Sequence, residues 1–221
     1  MDSLNDVDSG DPYYEIADIL RPYGPQLSLP TLVVEMNNIY HRYEARQFDR
    51  IHPFDFRQMP GMLAEMFNCV LTQSTENSFK VLNFGCGTGF EAHQLLLNMP
   101  AGAIGGLTCY DPCPEMLEKC VSKISLFRNT TFCNRVEDIP LGEGRYNLLL
   151  TNQMLHHLID VSQTIQSLLP LLSEGAFWIS GHEGSSRYFK NPECWKVYQD
   201  FMKAIVLPFR KLWVGAESAV S

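Results

Sequence analysis

The chain has no C-x-x-C pair, no apolar stretch near the ~20 residues that cross a bilayer as a helix, no basic cluster and no internal repeat. Each absence removes a class of function. Without the apolar stretch, no membrane partner is expected. With 17 basic against 25 acidic side chains, the net charge is −8. The positive field on which phosphate-backbone binding rests is therefore missing, and no nucleic acid partner is expected. The seven cysteines, Cys69, Cys86, Cys109, Cys113, Cys120, Cys133 and Cys194, are odd in number and dispersed, which suits reduced and mostly buried thiols rather than a disulfide framework. Neither they nor the six histidines repeat at ligand spacing, so no metal site is expected. Residues 1–10 are acidic and polar and lack the basic start and apolar run of a signal peptide. A cytoplasmic protein is the expectation.

What is present is enough apolar material for one sizeable core with a small cap: 45% of the 221 residues are hydrophobic and 19% charged. Helical spacing predicts helices over 13–20, 31–47 and 60–71, with Pro22, Pro25 and Pro30 punctuating the first connection. Beyond a polar loop at 73–78, strand and helix alternate. Strands are predicted at 81–84, 107–111, 130–133, 147–151 and 176–180, and helices at 89–98, 114–125 and 161–172. Such alternation with short loops predicts an α/β fold: a doubly wound, mostly parallel sheet with helices on both faces. The expected organisation is a tail and helical cap over 1–79, an α/β core over 80–181 and a helical segment over 182–221.

The sharpest motif is Val81-Leu82-Asn83-Phe84-Gly85-Cys86-Gly87-Thr88-Gly89-Phe90, a strand that runs into three alternating glycines and then a helix. Glycine allows φ > 0 and leaves no Cβ between main chain and ligand, and the helix start offers its N–H groups to polar ligand atoms. Roughly 20 residues on, where doubly wound folds place a ribose-binding carboxylate, Gly106-Leu107-Thr108-Cys109-Tyr110-Asp111 reads as a second strand ending in an acid.

Over approximately residues 80–181, these motifs resemble those of the class I S-adenosylmethionine-dependent methyltransferases. The tight G-x-G-x-G spacing of Gly85, Gly87 and Gly89 is similar to that family's loop and differs from the G-x-G-x-x-G of dinucleotide binders. Val136-Glu137-Asp138-Ile139-Pro140 resembles its adenine-flanking segment. Tyr146 to Asn152 resembles its fourth strand, and Met154-Leu155-His156-His157-Leu158 the stretch that follows. The resemblance implies a Rossmann-like fold, S-adenosyl-L-methionine as cofactor, S-adenosyl-L-homocysteine as product and a small-molecule acceptor. It also implies cofactor roles. Asn83, Gly85, Cys86, Gly87, Thr88 and Gly89 approach the methionine portion, and Asp111 accepts from the ribose with Pro112 and Met116 beside it. Arg135, Val136 and Glu137 border the adenine, Thr151 and Asn152 line the passage to the acceptor, and Tyr40 closes over the cofactor from the N-terminal helices, with Tyr43 on the same helix face.

Two positions depart from the family pattern. Asn83 stands where a carboxylate is usual, and an amide brings no charge to the methionine ammonium. Arg135 stands where an Asp often meets the adenine amine, and a donor-only side chain leaves that role to Asn134, Glu137 or a carbonyl. The end is also unusual. The family completes its sheet with two antiparallel strands, whereas 183–221 offers a helix-like 192–206 and an aromatic set that includes Trp195, Tyr198 and Trp213. Either the sheet is abbreviated or the chain stops early. The aromatic set suits packing on the core, a homodimer contact or an acceptor-pocket wall.

In-line displacement at a sulfonium mainly requires alignment and exclusion of water, so a base is optional. His156 and His157 after the fourth strand, and His182 with Glu183 after the fifth, start from the sheet edge where such folds bind ligands. Neighbours on a helical turn point apart, so at most one of His156 and His157 is expected to face the substrate. Two further readings stay open: a cofactor-binding regulatory or assembly protein without transfer, and a related fold that catalyses a rearrangement.

Overall fold

A computed structural model describes residues 29–51, 55–141 and 145–181, with single positions Glu183, Pro192 and Lys196. The sequence readings at 13–20, His182, the aromatic C-terminal set and, apart from Pro192 and Lys196, helix 192–206 lie outside the described residues. The chain divides into two units, Met1–His182 and Glu183–Ser221, and the N-terminal helices belong to the same unit as the sheet.

That unit opens with helices α1 (Leu29–Ala45), α2 (Phe48–Ile51) and α3 (Asp55–Gln73). It continues as β1 (Phe79–Phe84), α4 (Phe90–Asn98), β2 (Ile104–Tyr110), α5 (Pro114–Ile124), β3 (Thr130–Cys133), β4 (Tyr146–Asn152), α6 (Val161–Leu168) and β5 (Leu172–Gly181). The strand order is β3-β2-β1-β4-β5, and every pairing is parallel. The chain winds outward from β1 through β2 to β3, then returns to the other side of β1 for β4. The carboxyl ends of β1 and β4 therefore flank the switch point, where open α/β sheets leave a crevice.

Both sheet faces are covered. Met59, Leu63, Phe67 and Val70 of α3 pack with Ala92 and Leu95 of α4 on one face, together with Val81, Leu107, Leu148 and Leu150. Leu82, Phe84, Tyr110, Tyr146, Leu149 and Leu168 form the other. Successive residues 81 and 82 enter opposite cores, the period of two that a strand buried on both faces requires.

Most element boundaries shift by one to five residues from the sequence reading, and three of the shifts have a visible cause. Helix α3 begins at Asp55 and carries Pro60 inside rather than at its start. A proline there removes one backbone hydrogen bond, and buried Met59, Leu63 and Phe67 hold the helix against the core on either side of it. Helix α6 ends at Leu168, because the missing N–H of Pro170 belongs to a 3-10 turn over Leu169–Leu171. Strand β5 starts at Leu172, ahead of the predicted 176, by way of an irregularity: Tyr146 pairs Leu172, yet Leu148 pairs Phe177. Gly175, at φ +76°, takes up the extra length in a conformation side chains resist.

Asp160 caps α6, its Oδ1 accepting from Gln163 N at 2.8 Å. Asp160→Ala is expected to cost about 1 kcal/mol, read as a fall of roughly 2–4 °C in melting temperature for a domain of this size. An unchanged melting curve would show that the cap contributes nothing.

Candidate active site

The loop after β1 is sewn to the end of β2. Gly85 N and Cys86 N both donate to Tyr110 O, at 2.8 and 2.9 Å, and Gly87 N donates to Asp111 Oδ2 at 2.7 Å. Asp111 Oδ1 accepts from Cys113 N at 2.9 Å. Gly89 N donates to Cys86 O at 2.8 Å. The amides of Gly85, Cys86, Gly87 and Gly89 are all engaged within the protein, so the glycines contribute shape rather than donors.

Two of these glycines show why. At Gly85, with φ +77°, a Cβ would run into the Met154 side chain. At Gly89, with φ +79°, it would sit 2.6 Å from Cys120 Sγ and 2.9 Å from Cys120 Cα. The loop thus lies too close to the β4 exit and to α5 for any side chain there.

A cavity of about 520 Å³ opens at the switch point, within the range of small-molecule and cofactor sites. Of the residues singled out in the sequence, Tyr40, Gly85, Cys86, Gly87, Thr88, Asp111, Pro112, Met116, Asn152, His156 and His157 line it. Asn83, Gly89, Thr151, Arg135, Val136 and Glu137 do not, and Tyr43 is also outside the wall. Asn83 is 1% exposed within β1, and its Nδ2 has no hydrogen-bond partner among the described residues. Gly89 is turned onto Cys120. Thr151 is buried, with Oγ1 accepting from Trp178 Nε1 at 2.8 Å. Arg135, just before a 3-10 turn over Val136–Asp138, and Glu137 within it are exposed and pair with each other at 3.6 Å, while Ile139 at the turn's end is buried.

The wall also holds groups that sequence reasoning missed. Glu91, in the first turn of α4, is 8% exposed, and its Oε1 accepts from Asn152 Nδ2 at 2.8 Å. Burial lifts its carboxyl to about 7, against weaker lowering by its own backbone N–H, Asn152 and Lys123. Burial likewise raises the Asp111 carboxyl, opposed by the amides of Cys113 and Gly87. Phe84 and Tyr110 stack at 4.5 Å and give the wall an aromatic plate.

From α1 come Asn37, His41 and Glu44. Glu44 takes Tyr40 OH at 3.1 Å and His41 Nδ1 at 3.3 Å. The His41 ring meets His157 edge-on at 5.0 Å, and His157 lies 4.3 Å from His156. Both histidines after β4, on the short 3-10 turn Leu155–His157, therefore border the cavity. Asn37 packs against His157: its Nδ2 donates to His157 O at 3.3 Å, and its Oδ1 lies 3.3 Å from His157 Nδ1, a contact that suits a proton on Nδ1.

The cap is tied to the loop. Thr88 Oγ1 donates to Asp49 Oδ1 at 2.6 Å, and Lys123 Nζ reaches both Asp49 Oδ2 at 2.7 Å and Thr88 Oγ1 at 3.1 Å. One further grouping was not expected: Cys86, Cys109 and Cys120 converge, all buried, with sulfurs within 4.8 Å of one another.

Comparison with known proteins agrees with this architecture. Residues 81–175 match the family model described as "Methyltransferase domain". A malonyl-[acyl-carrier protein] O-methyltransferase of Priestia megaterium is 23% identical over 61% of this chain and 48% of its own length. The Bacillus anthracis protein of the same name is 28% identical over 45% of this chain and 36% of its own. The chain thus spans less than half the length of these curated relatives. Among solved structures, the DhpI-SAM-HEP complex is similar in fold, with a TM-score of 0.53 and 15% identity over 74% of this chain and 72% of that one. Through residues 81–175, the chain is thus similar to a methyltransferase domain.

Proposed function

We propose that the chain binds S-adenosyl-L-methionine in the switch-point cavity and transfers its methyl group in line to a small-molecule acceptor. The observation that carries this reading is the junction of a side-chain-free loop with a buried carboxylate: Gly87 N on Asp111 Oδ2 at 2.7 Å, at the mouth of a cavity large enough for the cofactor. Each Asp111 oxygen already holds one backbone donor and keeps a second lone pair for a ribose hydroxyl. Gly85 and Gly87 leave the methionine chain room to pass. Glu91, steadied by Asn152, receives the methionine ammonium and thereby supplies the charge that Asn83 lacks. Pro112 and Met116 continue the wall beyond Asp111 and offer apolar surface to the adenine.

When bound, the sulfonium supplies an electrophilic methyl carbon. On the acceptor side, Phe48, Met59, Phe90 and Leu158 exclude water, which favours a partly apolar acceptor. His157 Nε2 takes the acceptor's proton, with Asn37 holding the ring. Tyr40, 58% exposed at the rim, belongs to the segment that closes over the site.

Calorimetry with S-adenosylhomocysteine tests the binding step, and labelled methyl transfer to a panel of acids, phenols, amines and a malonyl-carrier thioester tests the chemistry. Saturable binding followed by a methylated product is expected. Absence of binding to the folded full chain would end the proposal, and binding without any product would favour a regulatory binder.

His157→Gln is expected to lower kcat about tenfold, below the ~10²–10⁴ of an obligatory base because an acceptor can arrive already ionised. Affinity for S-adenosylhomocysteine should stay within about twofold. Equal loss in affinity would make His157 a cofactor-site residue instead.

A further inference from the structure

The three-thiol cluster has no part in the proposed transfer. Cys86 comes from the β1 loop, Cys109 from β2 and Cys120 from α5, and the parallel register that pairs Asn83 with Cys109 brings the first two together. Gly89, lacking a Cβ, lets α5 close down until Cys120 completes the triangle. All three sulfurs are buried and mutually within 4.8 Å. Cys86 also lines the cofactor cavity. Buried cysteines often pack simply as small apolar groups, but here three from separate elements bring their sulfurs to one point.

We infer that Cys86, Cys109 and Cys120 form a three-thiolate site for a soft, thiophilic ion of the Cu(I) class, and that its occupancy opposes cofactor binding. Ligand chemistry selects the ion: three sulfurs without an oxygen or imidazole favour soft metals. Structural Zn(II) takes four ligands in a closed tetrahedron, and no fourth His, Cys, Asp or Glu joins the group among the described residues. Geometry is close to what is needed. A metal about 2.3 Å from each of three sulfurs sets them about 4 Å apart in a trigonal plane, so the present triangle has to contract by less than 1 Å. Contraction draws Cys86 inward, and with it the loop whose amides hold Tyr110 O and Asp111. Binding replaces thiol protons by the metal and releases them to buffer, with no change in oxidation state.

The test uses the full chain, anaerobically, with Cu(I) delivered from a chromophoric chelator. One tightly held Cu(I) per chain, three sulfur neighbours by X-ray absorption, and at least a threefold weaker affinity for S-adenosylhomocysteine are expected. Cys109→Ser should weaken Cu(I) binding at least 100-fold, while Cys69→Ser, at an exposed position, leaves it unchanged. A sulfur count below three in the wild-type protein, or no retained Cu(I), overturns the site without recourse to any variant that might misfold. Retained Cu(I) with unaltered cofactor affinity overturns the antagonism. A wild-type protein that holds three-sulfur Cu(I) but never binds S-adenosylhomocysteine refutes the antagonism and the methyltransferase reading while leaving the metal site standing.

Discussion

Asp111→Ala is expected to weaken S-adenosylhomocysteine binding by about 10³-fold and to destabilise the fold by about 3 kcal/mol. The affinity figure follows from two charge-assisted hydrogen bonds to a ribose diol, each worth roughly 1.5–3 kcal/mol, set against about 1.4 kcal/mol per decade. The stability figure has a separate origin. Alanine leaves Gly87 N and Cys113 N without their acceptor, and a buried orphan donor costs about 1–3 kcal/mol. Asp111→Asn separates the two effects. Its carbonyl oxygen can keep the Cys113 bond, but its amide then turns N–H against the N–H of Gly87, so the loop loosens while the turn before α5 persists. Calorimetry and urea unfolding on the wild-type protein and both variants give the order alanine, asparagine, wild type on each axis. Wild-type affinity in the alanine variant would remove Asp111 from the cofactor site.

This carboxylate was legible in the sequence because two local signals, the glycine run and an acid closing the next strand, lie at a fixed separation that parallel pairing preserves. Gly85, Gly87 and Asp111 meet because Phe84 pairs Tyr110. The doubly wound parallel sheet was legible too, since strands and helices that alternate through short loops leave few topologies. What stayed hidden was produced by tertiary contact. An acid in the first turn of a helix ordinarily complements the dipole from the surface, and nothing near residue 91 announces that Asn152 covers it. Asn37 and His157 are 120 positions apart, and only the docking of α1 over the crevice joins them. The sequence reading found no metal spacing because Cys86, Cys109 and Cys120 have none; their proximity belongs to the fold. At Arg135 a local match to the family segment carries no information on which way a side chain faces, and Arg135 and Glu137 are exposed and paired with each other.

Glu91 gives the second large effect, a pH dependence that glutamine should abolish. Burial raises its carboxyl from 4.5 to about 7, so between those values the native state binds a proton more tightly than the unfolded chain. The associated stability is complete below pH 4.5 and is lost as the pH rises through about 7, on the order of 3 kcal/mol in all. Asp111, also raised by burial, adds loss of the same sign. Lys123 and Cys120 are the charged and titratable neighbours of Glu91, the first lowering its carboxyl and the second raising it. In Glu91→Gln, unfolding free energy should therefore change far less between pH 5 and 7.5 than in the wild-type protein. The cofactor closes the cycle. An ammonium arriving at Glu91 favours the carboxylate, so S-adenosylhomocysteine binding at pH 6 should release close to one proton, read as a difference in binding enthalpy between buffers of unlike ionisation heat. 5′-Methylthioadenosine, which has the nucleoside but no ammonium, should release none and should bind wild type and Glu91→Gln alike, whereas S-adenosylhomocysteine loses at least tenfold. Proton release that persists in the glutamine variant would assign the titration to another group and leave the methionine ammonium without its partner.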